Sequence, residues 1–344
     1  MGLPDASDSR LADLTRWVFE DLGFAGGRIA PASADASFRR YFRVTRGAES
    51  CIVMDAPPDK ENLGAFLSVG RRLLEIGLNV PVTLAKDVPR GFLLLSDLGN
   101  RQYLDELESV DAAARLYADA LDALCTLHMA DRSASRDLPS YSHALLMREM
   151  ELMPEWFLRG HLGLRITAAE RGMLDRLFEV LAQAALSQPA VFVHRDYHSR
   201  NLLVCPDDNP GILDFQDAVR GPVTYDLVSL LKDCYVEWPR ALVREWALRY
   251  RERLLGEGFE LGASENEFIR WFDLMGLQRH IKVLGIFSRL YYRDGKPQYL
   301  EDLPRVLRYT RDAAADYPEC AEFAGFISRR IDPGFSAAQQ RAPA

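Results

Sequence analysis

The stretch from Val191 to Phe215, VFVHRDYHSRNLLVCPDDNPGILDF, permits few local structures. Val191-Phe192-Val193 is a short apolar run of β character, closed by His194-Arg195-Asp196. A polar loop leads on to Asn201. Leu202-Leu203-Val204 and Gly211-Ile212-Leu213 then flank Cys205–Pro210, a turn rich in Asp, Asn and Pro, which predicts a β-hairpin. A turn centred between Asp207 and Asp208 sets Asn201 opposite Asp214 at the open end of the hairpin. Their Cβ atoms would then lie roughly 5 Å apart.

A carboxylate and an amide oxygen at that spacing suit a hard cation. Mg²⁺ prefers oxygen and usually takes one or two ligands from protein when phosphates supply more. Asp196, on the loop that feeds the first hairpin strand, suits a base that accepts a hydroxyl proton and orients the nucleophile. Phosphoryl transfer needs little beyond positioning and charge neutralisation. A surface hairpin with a capping Asp and Asn would explain each residue singly, but not the three together.

The rest of the 344-residue chain supplies two lobes. Residues 8–22 carry Leu11, Leu14, Val18 and Leu22 at helical spacing. Short β-like runs follow at Phe38–Val44, Cys51–Met54 and Phe92–Leu95, with a helix over about Leu63–Ile76 that Gly77 stops. From about Asn100 the periodicity becomes helical, as in Leu116, Leu121, Leu124 and Leu127, in Met173, Leu174, Leu177, Phe178 and Leu181, and in Trp271, Leu274, Leu277, Ile281, Leu284 and Phe287. The expected fold class is α+β, with a small mixed lobe (1–97) holding an antiparallel sheet and a larger helical lobe (98–334). A small, polar tail over 335–344 is expected to be disordered.

Charge and cysteine use narrow the partners. A net charge of −8 argues against nucleic acid or an anionic membrane as the main partner. Five scattered cysteines without a CxxC read as reduced thiols. Met1–Arg10 has no apolar signal core, Ala6 breaks the myristoylation pattern after Gly2, and no run approaches a membrane span. A soluble, cytoplasmic protein with no obligate protein partner is expected.

HRD-x-x-x-x-N followed by Asp214-Phe215 is similar to the catalytic and metal loops of the protein-kinase-like superfamily. The version here has His198 two residues after Asp196. It continues through Gln216-Asp217-Ala218, Gly221-Pro222 and Tyr225-Asp226-Leu227 into a helix starting near Asp226. That pattern resembles the aminoglycoside phosphotransferase and choline kinase family. It leaves no room for the activation loop of a protein kinase. Ser37-Phe38-Arg39-Arg40-Tyr41-Phe42, Met54-Asp55-Ala56-Pro57-Pro58, the run DFQDAVRGPVTYDLVSLLKDCY and QRHIKVLGIFSRLYYRDGKP narrow the resemblance to bacterial anomeric kinases of N-acetylmuramate and N-acetylglucosamine, which serve peptidoglycan recycling.

The resemblance implies a two-lobe kinase-like fold, ATP as phosphoryl donor, Mg²⁺ as cofactor and an amino-sugar acceptor. It implies Asp196 as catalytic base and Asn201 and Asp214 as metal ligands. On the nucleotide side, Ala32–Val44 would cover the phosphates, through Ser37, Phe38, Arg39 and Arg40. Ser96-Asp97-Leu98 would form the hinge strand, although Asp97 beside Gly99 reads equally as a turn residue. On the acceptor side, His198, Arg200 and Arg279 are candidates. In Trp271–Leu300, Arg279, Lys282, Arg289, Arg293 and Lys296 face only Asp273 and Asp294, a balance that suits an acceptor bearing a carboxylate rather than a polycation.

The sequence departs from the superfamily in one place. The strand Cys51-Ile52-Val53-Met54 has no Lys, and the helix interior GAFLSVGRRLL has no Glu, so both halves of the usual phosphate-binding pair are absent. Losing both avoids an unpaired buried charge. The phosphates would then be met by Mg²⁺ and by Arg39, Arg40 or Arg43. Two other readings stay open at this stage: a different small-alcohol or aminoglycoside phosphotransferase, and a nucleotide-binding scaffold without turnover.

Overall fold

The computed structural model describes residues 8–34, 38–130 and 137–341. The chain divides into two compact units: the segment up to Arg101 together with Leu203–Gln216, and Gln102–Leu202 together with the chain from Asp217 onward. The sequence reading had placed the hairpin in the helical lobe. Backbone hydrogen bonds assign it to the first unit instead. Val204 N donates to Arg101 O at 2.8 Å and Ile212 N to Asn79 O at 2.8 Å, while Asn79 Nδ2 donates to Asp208 O at 3.0 Å.

The first unit is an antiparallel sheet of β1 (Arg28–Ala34), β2 (Arg40–Arg46), β3 (Glu49–Asp55), β4 (Thr83–Asp87) and β5 (Phe92–Ser96), in the order β1-β2-β3-β5-β4. Helix α1 (Ser9–Arg16) starts at Asp8, whose side chain accepts from Leu11 N. Its Leu14, with Trp17 and Val18 beyond it, packs on Phe42, Val44, Val53 and Phe92 of the sheet. Helix α2 (Leu63–Glu75) is capped by Asn62 and buries Phe66, Val69 and Leu73.

Two strands lay outside the sequence expectation, and both are edges. β1 contains Pro31 and slips register between Pro31 and Ser33, which an edge strand tolerates. β4 is nowhere fully buried and so lacks a continuous apolar signal. Because β1 runs to Ala34 and pairs with β2 as far as Ala34↔Arg40, residues 32–34 and 40–44 of the expected loop belong to strands instead. Ser37 lies outside the described residues.

The second unit is helical. Its longer helices are α3 (Val110–Met129), α4 (His143–Met150), α5 (Ala168–Leu186), α6 (Tyr225–Leu231), α7 (Arg240–Gly256), α8 (Glu265–Tyr292), α9 (Leu303–Asp316) and α10 (Asp332–Arg341), with short ones at Tyr103–Glu106 and Ala321–Phe326. α8 is the central member; a capping box of Ser264 and Glu267 starts it, and Leu274, Leu277, Ile281 and Leu284 are all buried. It crosses the helical segment Met153–His161 at Gly285, where an added Cβ would stand 2.3 Å from the Leu152 carbonyl carbon, so only glycine fits there. β6 (Ala190–Val193) pairs antiparallel with Val219–Pro222, with Phe192 opposite Arg220. The expected disordered tail is corrected as far as Arg341. α10 covers it because Phe335 and Ala338 give the segment a buried face. No helix among the described residues is long and apolar enough to cross a membrane, and Cys51, Cys125, Cys205, Cys234 and Cys320 are buried free thiols.

Candidate active site

β6 ends at Val193 and delivers residues 194–201 as a loop of the second unit. Its backbone needs support, because Arg195 has φ 78°, a conformation that costs a non-glycine residue about 1–3 kcal/mol. Asp226, fully buried in the first turn of α6, accepts from His194 N at 2.6 Å and from Arg195 N at 3.0 Å. Burial raises the Asp226 pKa to about 7, while the two amide donors pull it the other way. On the other side of the loop, Arg279 Nη1 donates to Arg195 O at 3.0 Å and to the Tyr225 hydroxyl at 3.1 Å.

The Arg195 side chain turns inward. Its Nη2 pairs with Glu149 Oε1 at 2.6 Å. The same carboxylate takes Lys282 Nζ at 3.0 Å and the Tyr141 hydroxyl. Lys282 also donates to Tyr225 Oη at 3.0 Å. The result is a buried network of alternating charge behind the loop.

Asp196 stands on the partly exposed side of this network. Burial would raise its pKa, but the positive charges of Lys282, Arg279, His198 and Arg195 outweigh that and hold it down at about 2. It is therefore an ionised carboxylate at neutral pH. Asn201 Nδ2 donates to Asp196 O at 3.0 Å, which leaves its Oδ1 as the acceptor end. Ser199 is tied through N (3.0 Å) and Oγ (2.5 Å) to Asp233 Oδ2, and the Tyr197 hydroxyl donates to Ala120 O at 2.7 Å.

The acceptor-side candidates separate. Arg200 lies with its guanidinium 3.8 Å from the Tyr235 ring centroid and 6.0 Å from that of Tyr299. The His198 ring meets Tyr235 edge-on at 5.5 Å. Arg279 is 4% exposed and directed at the loop backbone, so it positions the loop from behind. Lys282 is likewise internal, and Arg293 pairs with Asp294 at 2.7 Å, so the basic excess of this segment is not one ligand-facing patch.

In the first unit, the strand Leu202–Leu203 pairs with Gly211–Ile212 to form the hairpin, and Asp214 follows it. Asp214 has φ 61°. Its Oδ1 accepts from Gln216 Nε2 at 2.8 Å and lies 3.7 Å from Arg39 Nη1. Phe215 anchors the turn, packing on Phe66 at 4.8 Å between centroids and on α2 at Gly70, where an added Cβ would stand 3.1 Å from its ring.

The three arginines are not equivalent. Arg40 pairs with Asp8 and with the fully buried Asp55 (2.5 Å), and Arg43 with Asp97 (2.6 Å) and Gly99 O (2.9 Å). Arg39, 8% exposed at its side chain, pairs through Nε with Glu61 Oε2 at 3.1 Å beside Asp214. The Phe38 ring is exposed and its N–H donates to Glu61 Oε1 at 3.2 Å. Asp97 closes an Asx turn onto Gly99 N (2.9 Å). Burial would raise its pKa, but Arg43, Ser50 and Gly99 N lower it. Ser96 Oγ accepts from Val82 N at 2.8 Å, and Leu98 O faces Cys205 Sγ at 3.6 Å.

Among the described residues, no group of three or more His, Cys, Asp or Glu side chains could hold a metal alone. Asn201 Oδ1 in the second unit and the Asp214 carboxylate in the first are each a hard oxygen donor of the kind that Mg²⁺ prefers. Sequence reasoning named Lys282 only as part of the basic segment and missed Glu61, Glu149 and Asp233. Their signal was a charge beside a helix terminus, as at Asp233, two residues after α6 ends at Leu231.

Comparison with known proteins defines the class. The chain belongs to the phosphotransferase enzyme family (APH), which matches residues 28–263. It is 45% identical over 331 residues to the N-acetylmuramate/N-acetylglucosamine kinase of Pseudomonas putida, covering 93% of this chain and 96% of that protein. The fold is kinase-like. It matches a Plasmodium vivax ethanolamine kinase with a TM-score of 0.62 at 11% identity, over 88% of this chain and 87% of the other. It matches the ADP-bound aminoglycoside phosphotransferase APH(2″)-Ib with a TM-score of 0.55 at 15% identity, over 88% and 98%.

Proposed function

We propose that the chain is an ATP-dependent kinase that phosphorylates the anomeric hydroxyl of N-acetylmuramate or N-acetylglucosamine, giving the sugar 1-phosphate in peptidoglycan recycling. The observation that carries the reading is Asp196: an ionised, accessible carboxylate on a loop held from behind by Asp226 and Arg279. Asp196 accepts the proton of the anomeric hydroxyl, whose oxygen forms a bond to the γ-phosphorus as the bond to the β,γ-bridging oxygen breaks and ADP leaves. An anomeric hydroxyl is more acidic than an ordinary alcohol, so a carboxylate suffices as base. Asn201 and Asp214 would each offer a hard oxygen to Mg²⁺, which would supply charge neutralisation for the phosphates.

Arg39 takes the place of the missing strand Lys, with Glu61 in place of the helix Glu; the 3.1 Å pair beside Asp214 supports this. The Arg200–Tyr235–Tyr299 cluster offers aromatic faces to a sugar ring and a cation to the lactyl carboxylate of N-acetylmuramate. An acceptor loop bearing Arg200 favours amino sugars over polycationic aminoglycosides.

The test is ADP release with MgATP and a panel of N-acetylmuramate, N-acetylglucosamine, choline and kanamycin, with Asp196→Asn as control. Sugar 1-phosphate formation that disappears in the variant is expected. Turnover confined to kanamycin or choline overturns the reading, and nucleotide binding without turnover of any acceptor replaces it with a scaffold.

A further inference from the structure

Two buried carboxylates flank the short helix α6, and each holds part of the loop that carries Asp196. Asp226, in the first turn of α6, takes the His194 and Arg195 amides. Asp233, two residues past the end of α6, is 2% exposed and takes the far part of the loop. Its Oδ2 accepts from Ser199 N at 3.0 Å and from Ser199 Oγ at 2.5 Å, and its Oδ1 accepts from Tyr235 N at 3.2 Å. Asp233 forms no ion pair among the described residues. A buried carboxylate without a counter-charge persists where hydrogen bonds replace its hydration, and these three donors do so.

The two partners of Asp233 belong to the two halves of the acceptor cluster. Ser199 precedes Arg200, whose guanidinium lies 3.8 Å from the Tyr235 ring centroid, and the His198 ring meets the same ring edge-on at 5.5 Å. Arg200 makes no ion pair among the described residues, so the Tyr235 ring is what directs its cation. Other contacts hold each half separately. Ser199 O accepts from Leu104 N at 3.2 Å and Arg200 O from Gln102 Nε2 at 3.0 Å, while Cys234 O accepts from Arg305 Nη1 at 2.7 Å. Asp233 bonds to both halves and fixes one against the other.

We propose that Asp233 is a positioning residue for the acceptor. It sets the Arg200–Tyr235 platform in register with Asp196, and so acts on sugar binding and not on the nucleotide. The inference rests on the reading of Arg200 as an acceptor contact. Asp233→Asn keeps the shape of the side chain but leaves one acceptor oxygen where two are used. Whichever way the amide turns, either Ser199 N or Tyr235 N loses its acceptor. Ser199→Ala is milder, since it removes the Oγ bond and spares both amide bonds.

The experiment is sugar-dependent ADP release with N-acetylmuramate and N-acetylglucosamine, with the KM for sugar and for ATP measured separately. The proteins are wild type, Ser199→Ala, Asp233→Asn, Arg200→Ala and the doubles that combine Arg200→Ala with each of the other two. Asp233→Asn should raise the sugar KM about tenfold and Ser199→Ala about threefold, with the KM for ATP within about twofold of wild type in both. On the Arg200→Ala background each should add less than about twofold, because the grip acts through the platform. A sugar KM unchanged by Asp233→Asn overturns the inference, as does an equal rise in the KM for ATP or a full multiplication of effects in the double variants; a merely structural role gives the last two. Should Asp233→Asn not fold, Ser199→Ala decides by the same criteria. If Arg200→Ala leaves the sugar KM unchanged, or wild type turns over neither sugar, the underlying reading fails and the inference falls with it. A rise in Arg200→Ala without one in Asp233→Asn sinks the inference alone.

Discussion

Lys282→Met removes one charge from the network behind the loop and keeps the length of the side chain. Lys282 is 7% exposed, 3.0 Å from Glu149 Oε1 and 3.0 Å from Tyr225 Oη. Orphaning a buried charge outright costs about 3–5 kcal/mol. Glu149 keeps Arg195 at 2.6 Å and the Tyr141 hydroxyl, so the loss should fall to about 2–3 kcal/mol. The chemical effect runs through Asp196. Against burial, which raises its pKa, Lys282 is the leading charge that holds it at about 2. A single nearby charge moves a carboxyl by about 1–3 units, and Arg279 and Arg195 remain, so a rise of about 1 unit is expected. A depressed carboxyl stabilises the fold above its unfolded pKa near 3.8, and that stabilisation disappears as pH falls towards 2. In the variant the window shifts upward, and the enzyme should weaken at a higher pH than wild type. Urea unfolding at pH 7 measures the first effect, and the acid limb of kcat/KM for sugar-dependent ADP release measures the second. A variant that unfolds with wild-type free energy and keeps the wild-type acid limb would refute the reasoning. Lys282→Arg, which restores the charge, should bring the limb back.

Arg39→Ala should raise the KM for ATP about tenfold, the loss of one charge-assisted phosphate contact. Arg40→Ala should instead lower stability by about 2–4 kcal/mol, because the fully buried Asp55 keeps only Arg10, and should leave the KM for ATP within about twofold; steady-state kinetics beside urea titration separates the two. Asp226→Asn keeps the shape but sets an amide N–H₂ against a backbone N–H of the loop. It should lower kcat about 100-fold with little change in the KM for ATP, since the defect is placement of Asp196. Gly285→Ala drives a Cβ to 2.3 Å from the Leu152 backbone and should cost about 3 kcal/mol or more, read as a lowered urea midpoint.

What was legible in the sequence was local. The hairpin showed because its turn residues and its two apolar runs lie within 25 residues of one another, from Val191 to Phe215. The helices showed because α3, α5 and α8 repeat a buried face over four or more turns. Edge strands were not legible, since β1 carries Pro31 and β4 is partly exposed throughout. Nor was the membership of the hairpin, which depends on Asn79 O and Arg101 O, carbonyls that every residue possesses. The tail beyond 334 read as too polar to order, yet two buried side chains, Phe335 and Ala338, are enough to seat a helix.

The charged residues divide by the same logic. A search for the superfamily Lys and Glu looks inside a strand and a helix, and there the sequence answers correctly that neither is present. It cannot see that Arg39 and Glu61 meet at 3.1 Å, because both stand just outside the elements, where no periodicity marks a shared face. Arg279 and Lys282 are turned inward for the opposite reason. Their spacing on α8 is helical, but the stripe they occupy is buried, and a cation on a buried stripe must find its counter-charge inside. It finds Glu149 and the carbonyl of Arg195, so the charge acts on the position and ionisation of Asp196 from behind. A basic residue three positions from another in an apolar helix is thus better read as support for a loop than as a hand for a substrate. The candidate that is not buried, Arg200, lies on the loop itself with its guanidinium over the Tyr235 ring.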